Sequence, residues 1–188
     1  MAFISLIEII HIAIVILGVG YIFTGLLPLR ITKNVLDSYT KKFNWKEFWF
    51  ACLVASPGII LHEMAHKFVA LGLGLQALFQ VSYFGLALGI ILKILNTGFI
   101  ILAPGYVLIS GATTLESILT AAAGPLTNLI LWVAGFLIIK HSKKLSRKQA
   151  IFWSLTAEIN KWLFIFNILP IPPLDGSKIW IPLFQMIF

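Results

Sequence analysis

Long charge-free stretches dominate the pattern of hydrophobic and polar positions along this chain. Four segments contain no Asp, Glu, Lys or Arg, namely residues 9–29, 68–92, 94–115 and 117–139. Each is at least as long as the ~20 residues that cross the hydrocarbon core of a bilayer. The chain is also 60% hydrophobic and only 11% charged, against about 25% charged residues in soluble domains. The sequence predicts a single polytopic membrane domain over residues 1–188.

Breaks in the apolar pattern predict where the helices begin and end. The predicted spanning helices cover residues 3–27, 46–71, 113–140 and 148–169. The second can continue through Pro57, because lipid-embedded helices tolerate a proline kink. Thr113 or Thr114 can cap the third helix. A last helix at residues 177–188 would be about 18 Å long, too short to cross the membrane.

Glycines interrupt the apolar stretch between residues 72 and 111. The sequence there predicts no continuous helix but short extended segments, at residues 76–83 and 99–110. Backbone that is not helical at membrane depth must be covered by protein or line a cavity. We therefore expect a mainly α membrane protein, with about four transmembrane helices, a small β region and a short terminal helix.

The net charge of +7 does not indicate nucleic-acid binding. Ten of the fourteen Lys and Arg lie within residues 30–46 and 140–148, as is typical of juxtamembrane loops, so no nucleic-acid role is predicted. The positive-inside rule would make both loops cytoplasmic. The lone Cys52 is expected to be a small packing residue.

The sequence His62-Glu63-Met64-Ala65-His66 suggests a metal site. Two imidazoles four positions apart on a helix lie about 40° apart around the axis and one turn along it, so both can reach one ion. Glu63 points in a neighbouring direction, from which its carboxylate can approach a water in an open metal position. Zinc would lower the pKa of that water toward ~7, and Glu63 would accept its proton and pass it to the leaving amine.

A catalytic zinc ion takes three protein ligands and an open position. Asp175 is the best placed third ligand, because it ends a proline-stiffened segment, Asn167-Ile-Leu-Pro-Ile-Pro-Pro-Leu-Asp175-Gly176. The alternative is that Asp175 only caps the terminal helix. With Asp175 as a ligand, we expect one zinc ion per chain.

Three motifs carry a family resemblance: His62-Glu63-x-x-His66, Gly124-Pro125-Leu126-Thr127-Asn128, and the Asn167 to Gly176 segment. In this order they resemble the signatures of the site-2 protease family of intramembrane zinc metalloproteases, and the likeness covers roughly residues 48–178. It implies zinc on His62, His66 and Asp175, with Glu63 as the catalytic base.

The resemblance also implies roles for three asparagines. Asn128 would support the substrate backbone or the oxyanion, whereas the residues alone favour an interhelical hydrogen bond for a lone membrane Asn. Asn160 and Asn167 would orient ligands or pack beside them. Glu158 and Lys161, at positions i and i+3, are expected to pair with each other.

The implied function is hydrolysis of peptide bonds in or near transmembrane segments, as in regulated intramembrane proteolysis. Expected partners are single-span membrane-protein substrates, the lipid bilayer of the cell membrane and a second copy of the chain. A substrate would lie extended along the edge of the region at residues 76–110. Relatives usually hold zinc nearer the cytosol, whereas the charge rule places it nearer the outer face.

Two other interpretations are open. A di-iron carboxylate oxidoreductase would use two Glu-x-x-His pairs and two further glutamates, namely Glu8, His11, Glu63, His66, Glu116 and Glu158. That scheme leaves His62, Asp175 and Asn128 without a function. The second interpretation is a non-catalytic membrane scaffold, which the intact Glu63 disfavours.

Overall fold

A computed structural model describes residues 3–26, 43–97 and 103–187. Within them the elements are α1 (Leu6–Phe23), α2 (Trp45–Gly72), β1 (Gln76–Val81), α3 (Tyr83–Ile94), β2 (Gly105–Ser110), α4 (Thr114–His141), α5 (Arg147–Asn167) and α6 (Asp175–Ile187). Part of the predicted extended segment at residues 99–110, namely residues 99–102, lies outside these ranges. So do four basic residues, Arg30, Lys33, Lys41 and Lys42.

Three of the described helices, α1, α2 and α4, are long and apolar enough to cross a membrane. The predicted fourth span corresponds to α5, which contains four charged residues, and its passage through the bilayer stays a prediction. α2 continues through Pro57 as expected.

Helix starts follow local capping chemistry. Ser5, Thr113 and Ser146 each accept a hydrogen bond from the backbone of the third helical residue, and the side-chain oxygen of that residue accepts one from the backbone N–H of the cap. Such capping boxes satisfy N–H groups that have no partner within the helix. They explain why α4 and α5 begin within a residue or two of the predicted positions.

The main hydrophobic core lies where α1 and α2 meet the sheet and α3. It contains Val15, Val19, Ile22, Ala55, Ile59, Met64, Phe79, Val81 and Leu86. The sheet has two antiparallel strands, in a register that pairs Gln76 with Ser110 and Val81 with Gly105. This core places the sheet against the helix that carries the two histidines.

The stretch between residues 72 and 111 holds no continuous helix, as predicted, but it contains a short helix, α3, that the predicted irregular and β region did not include. This helix begins after Ser82, whose hydroxyl accepts a hydrogen bond from Gly85 N at 3.1 Å. A Cβ at Gly85 would stand 1.9 Å from the carbonyl oxygen of Ala103. Glycine is therefore required here by a close approach of two backbones, not by a break in the helix.

Candidate metal centre

His62, His66 and Asp175 meet at one point, although Asp175 follows His62 by 113 residues. The two Nε2 atoms are 3.1 Å apart. Asp175 Oδ2 lies 3.0 Å from His62 Nε2 and 3.2 Å from His66 Nε2. Among the described residues, these three are the one group of at least three His, Cys, Asp or Glu that could hold a metal ion.

Hydrogen bonds on the far side of each imidazole determine its tautomer. His62 Nδ1 lies 2.5 Å from Asn128 Oδ1, and His66 Nδ1 lies 2.7 Å from the carbonyl oxygen of Thr120. Both partners can only accept, so both Nδ1 atoms carry hydrogen. In the neutral imidazoles, both Nε2 lone pairs then point to the place that the Asp175 carboxylate also faces.

This donor set fits zinc. Two ligand atoms at 2.0–2.2 Å from a tetrahedral zinc ion are separated by about 3.4 Å, within a few tenths of an ångström of the spacings above. Two imidazole nitrogens and one carboxylate oxygen form the three-ligand set of a catalytic site with an open position. Without a cation, three lone pairs would converge on one point.

Without a metal, the Nε2 to Oδ2 contacts require a proton on an imidazole. Burial alone would raise the pKa of Asp175, but hydrogen bonds from His62 and His66 outweigh it and hold this pKa well below its usual value. The carboxylate is the form of this side chain that binds a metal ion.

α4 comes closest to the centre at Gly124. A Cβ at this position would stand 2.3 Å from His66 Nε2 and 2.6 Å from His62 Nε2. Only a glycine leaves room for the two ligand nitrogens and for an ion beside them. Reasoning from the residues alone did not predict this role of the glycine.

Asn128 forms hydrogen bonds with α2 and α5 beside the centre. Its side chain is fully buried, its Oδ1 faces His62, and its Nδ2 donates to Gly58 O at 3.1 Å and to Asn160 Oδ1 at 2.8 Å. Every polar atom of the amide is thus engaged with protein. This is the interhelical hydrogen bonding that the residues alone favoured, and the substrate or oxyanion role that the resemblance implies stays a prediction.

Asn160 extends the same network. It donates to Thr156 O at 2.8 Å, and a Cβ at Gly58 would stand 2.7 Å from its Oδ1. Gly58 therefore lets α5 approach α2 beside the centre. Asn167, in contrast, donates to Leu163 O within its own helix, at 3.0 Å.

Asp175 is the first residue of α6, two positions earlier than the predicted helix start. The next residue allows this turn to pack tightly, because a Cβ at Gly176 would stand 2.2 Å from Leu169 O. Trp180 Nε1 donates to Ile168 O at 2.8 Å, which ties α6 to the same segment. The Asp-Gly pair therefore joins a ligand to the backbone contact that positions it.

Glu63 lies on α2 between the two histidines and is partly exposed. Its charged neighbours are His62, His66, Asp175 and Lys178. Its carboxylate has no hydrogen-bond partner within the described part of the chain, so it is available to a molecule entering the site.

Sequence reasoning did not predict the Thr120 carbonyl as the partner of His66 Nδ1. A backbone acceptor cannot be recognised from the residue type.

The residues of the di-iron alternative are dispersed. Glu8 pairs with Lys67 and is buried. Glu116 bonds its own helix cap, and Glu158 pairs with Lys161 at 2.7 Å, as predicted. These glutamates are engaged elsewhere, so the di-iron hypothesis is not favoured.

Comparisons with known proteins agree with this centre. The model for "Peptidase family M50" matches residues 133–188, which include Asp175. "Putative zinc metalloprotease MJ0611" of Methanocaldococcus jannaschii is 34% identical over 181 residues, covering 93% of this chain and 85% of that protein. "Putative zinc metalloprotease YwhC" of Bacillus subtilis is 40% identical over 73 residues, 35% of this chain and 33% of that protein.

The Methanocaldococcus jannaschii protein is 34% identical and is matched over most of both chains, which establishes the family of this chain. The apolar helices α1, α2 and α4 agree with a membrane protein. The names of the relatives support zinc as the cofactor and peptide hydrolysis as the activity. The chain therefore belongs to peptidase family M50, the site-2 proteases, and is a membrane protein of the zinc metalloprotease type.

Proposed function

We propose that this chain is a multi-pass endopeptidase of the cell membrane that cleaves peptide bonds in or near transmembrane segments. One zinc ion per chain would be held by His62, His66 and Asp175. The observation that carries the proposal is the convergence of two Nε2 atoms and one carboxylate oxygen on a single point, at 3.0–3.2 Å from one another.

Zinc bound there would supply Lewis-acid activation of a water molecule and of the scissile carbonyl. Glu63 would accept a proton from the attacking water and transfer it to the leaving amine, the role of a general base and then acid. Its position between the two ligands on α2, free of protein hydrogen bonds within the described residues, supports this role.

Asn128 and the Thr120 carbonyl would act as positioning groups. By holding hydrogen on both Nδ1 atoms, they would keep both Nε2 atoms unprotonated and directed inward. Outer partners of this kind fix the orientation of metal-bound histidines and raise their basicity. Asn160 would in turn fix the amide of Asn128.

Single-span membrane proteins are the proposed substrates, cleaved in the manner of regulated intramembrane proteolysis. A helical segment shields its carbonyls in hydrogen bonds, so it must become extended before hydrolysis. The antiparallel pair of β1 and β2 packs in the same core as α2, and a strand edge can bind an extended peptide through main-chain hydrogen bonds. A second copy of the chain could complete the wall around the substrate.

The proposal is tested by reconstituting the purified chain in lipid vesicles with single-span reporter proteins. Cleavage should require zinc, cease with a chelator and return when zinc is added. Glu63→Gln should keep zinc but lose activity by at least about a hundredfold, the usual contribution of a general base. Cleavage by this variant at the parental rate would overturn the assignment of Glu63.

The matched control is Glu116→Gln. Glu116 is partly exposed, and glutamine preserves a capping box, so this change should leave both zinc content and activity as in the parent. Absence of any zinc-dependent cleavage by the parent, across several reporters, would overturn the proposed function as a whole.

A further inference from the structure

The backbone of Phe79 in β1 is held at both polar atoms by side chains of α1. Phe79 N donates to Glu8 Oε1 at 2.8 Å. Phe79 O lies 3.3 Å from His11 Nδ1, and a carbonyl can only accept, so His11 donates. Positions 8 and 11 lie on the same face of a helix. Glu8 and His11, the Glu-x-x-His pair of α1, are not part of the metal centre. They hydrogen-bond to the backbone of one residue of the sheet.

The same glutamate reaches the helix of the metal centre. Glu8 Oε1 also accepts from Lys67 Nζ, and Lys67 directly follows His66. Both side chains are 2% exposed, so this is a buried ion pair. The second oxygen, Oε2, accepts from Ser5 N at 2.8 Å. One carboxylate therefore fixes β1, α1 and α2 relative to one another.

These bonds also determine which edge of the sheet is free. In an antiparallel pair, the N–H and C=O groups of successive residues point alternately toward the partner strand and away from it. Those of Phe79 point away from β2, and Phe79 is paired with Val107. On β2, the outward groups are therefore those of Gly105, Val107 and Ile109, and within the described residues nothing hydrogen-bonds to them.

We propose that Glu8, His11 and Lys67 form a clamp that positions the sheet against the zinc helix and closes the outer edge of β1. A substrate strand would then pair with β2, Gly105–Ser110. This inference rests on the proposed proteolytic function. The three clamp residues are positioning residues, because none of them belongs to the metal centre.

Disulfide trapping tests the choice of edge. Single cysteines at Val107 and Ile109 of β2 and at Ala77 of β1 are introduced into a Cys52→Ala, Glu63→Gln chain, with a reporter that carries cysteines around its cleavage site. Disulfides form only when Cβ atoms approach to about 4 Å, which distinguishes neighbouring strands. We expect trapping at position 107 or 109 and little at 77. Trapping that is equal or stronger at 77 would overturn the proposal.

Loss of the clamp is tested with His11→Ala, which leaves the Glu8 and Lys67 pair intact. We expect parental zinc content, a KM raised several-fold with a smaller change in kcat, and cleavage spread over neighbouring peptide bonds. His11→Gln restores an N–H donor and should recover the parental cleavage position. Parental KM and a single parental cleavage position in His11→Ala would contradict the clamp.

A second variant, Glu8→Gln with Lys67→Met, removes both charges together, while the one amide oxygen keeps an acceptor for Phe79 N and the part-buried Ser5 N loses its acceptor. Because the buried pair is replaced as a unit, no single charge is left uncompensated. We expect correct folding and zinc binding, with a partial spread of the cleavage positions, because the link from Glu8 to the zinc helix through Lys67 is lost. Further loss of the Phe79 contact through His11→Ala in this background should spread the cleavage positions more widely. Failure of the proposed function would appear differently, as an inactive parent.

Discussion

Asn128 Oδ1 lies 2.5 Å from His62 Nδ1, and this contact links α4 to a metal ligand on α2. The amide cannot turn over without loss, because its Nδ2 donates to two acceptors, Gly58 O and Asn160 Oδ1. Its oxygen is therefore fixed toward the imidazole. The buried amide selects the His62 tautomer whose Nε2 is free for a metal ion.

Replacing Asn128 with alanine should weaken zinc binding by about 10–100-fold, the usual effect of losing a partner that orients a ligand. His62 would lose its acceptor, and Gly58 O and Asn160 would lose a donor. Zinc affinity is measured by competition with a chromogenic chelator. The control is Asn167→Ala, whose hydrogen bond stays within α5; equal losses in both variants would show that Asn128 has no special role.

Gly124→Ala should abolish zinc binding although it adds one methyl group. The new Cβ would occupy the space next to both Nε2 atoms, at 2.3 and 2.6 Å, and backbone on a buried helix cannot move away cheaply. The measurement is metal content by elemental analysis after purification with zinc. Gly72→Ala is the matched control, because a Cβ there meets nothing within 4 Å. A zinc-loaded Gly124→Ala chain would contradict the packing seen here.

The sequence predicted the three residues that meet in the centre, because each lies in a pattern with a direct physical interpretation. His62 and His66 need only helical periodicity, and Asp175 follows from the need for a third ligand on a stiff segment. Capping residues such as Thr113 predicted a helix start for a similar reason, since the signal is local. Hydrogen-bond partners across helices, such as Asn128, required the fold, because their role depends on which atoms come near.

The helix α3 was not recognised from the sequence. Its glycines look like breaks, yet Gly85 is needed for contact with Ala103 O, 18 residues away. The N-cap residue of this helix, Ser82, is the local signal in the sequence that indicates a helix start. A tertiary contact and a helix break produce the same residue type, so sequence alone does not separate them.

Asp175→Asn distinguishes a ligand from a helix cap. Asparagine caps helices about as well as aspartate, so α6 should remain folded, whereas the loss of an anionic oxygen should reduce zinc affinity by at least tenfold. Circular dichroism and metal content are measured together. If Asp175→Asn binds zinc like the parent while Asp175→Ala unfolds, the capping interpretation of this residue is the correct one.

Removing zinc should lower the thermal stability of the chain. A ligand present at a hundredfold excess over its Kd stabilises the folded state by about 2.7 kcal/mol, and without it three lone pairs of α2 and α6 face one another unless a proton enters. Unfolding in detergent is followed with zinc, with a chelator and after zinc is restored. We expect a lower Tm in the chelated sample and recovery on addition of zinc. The Asp175→Asn chain should respond less to the chelator, since its third ligand is weakened. An unchanged Tm in a sample shown to have lost its metal would mean that the ion does not hold α6 against α2.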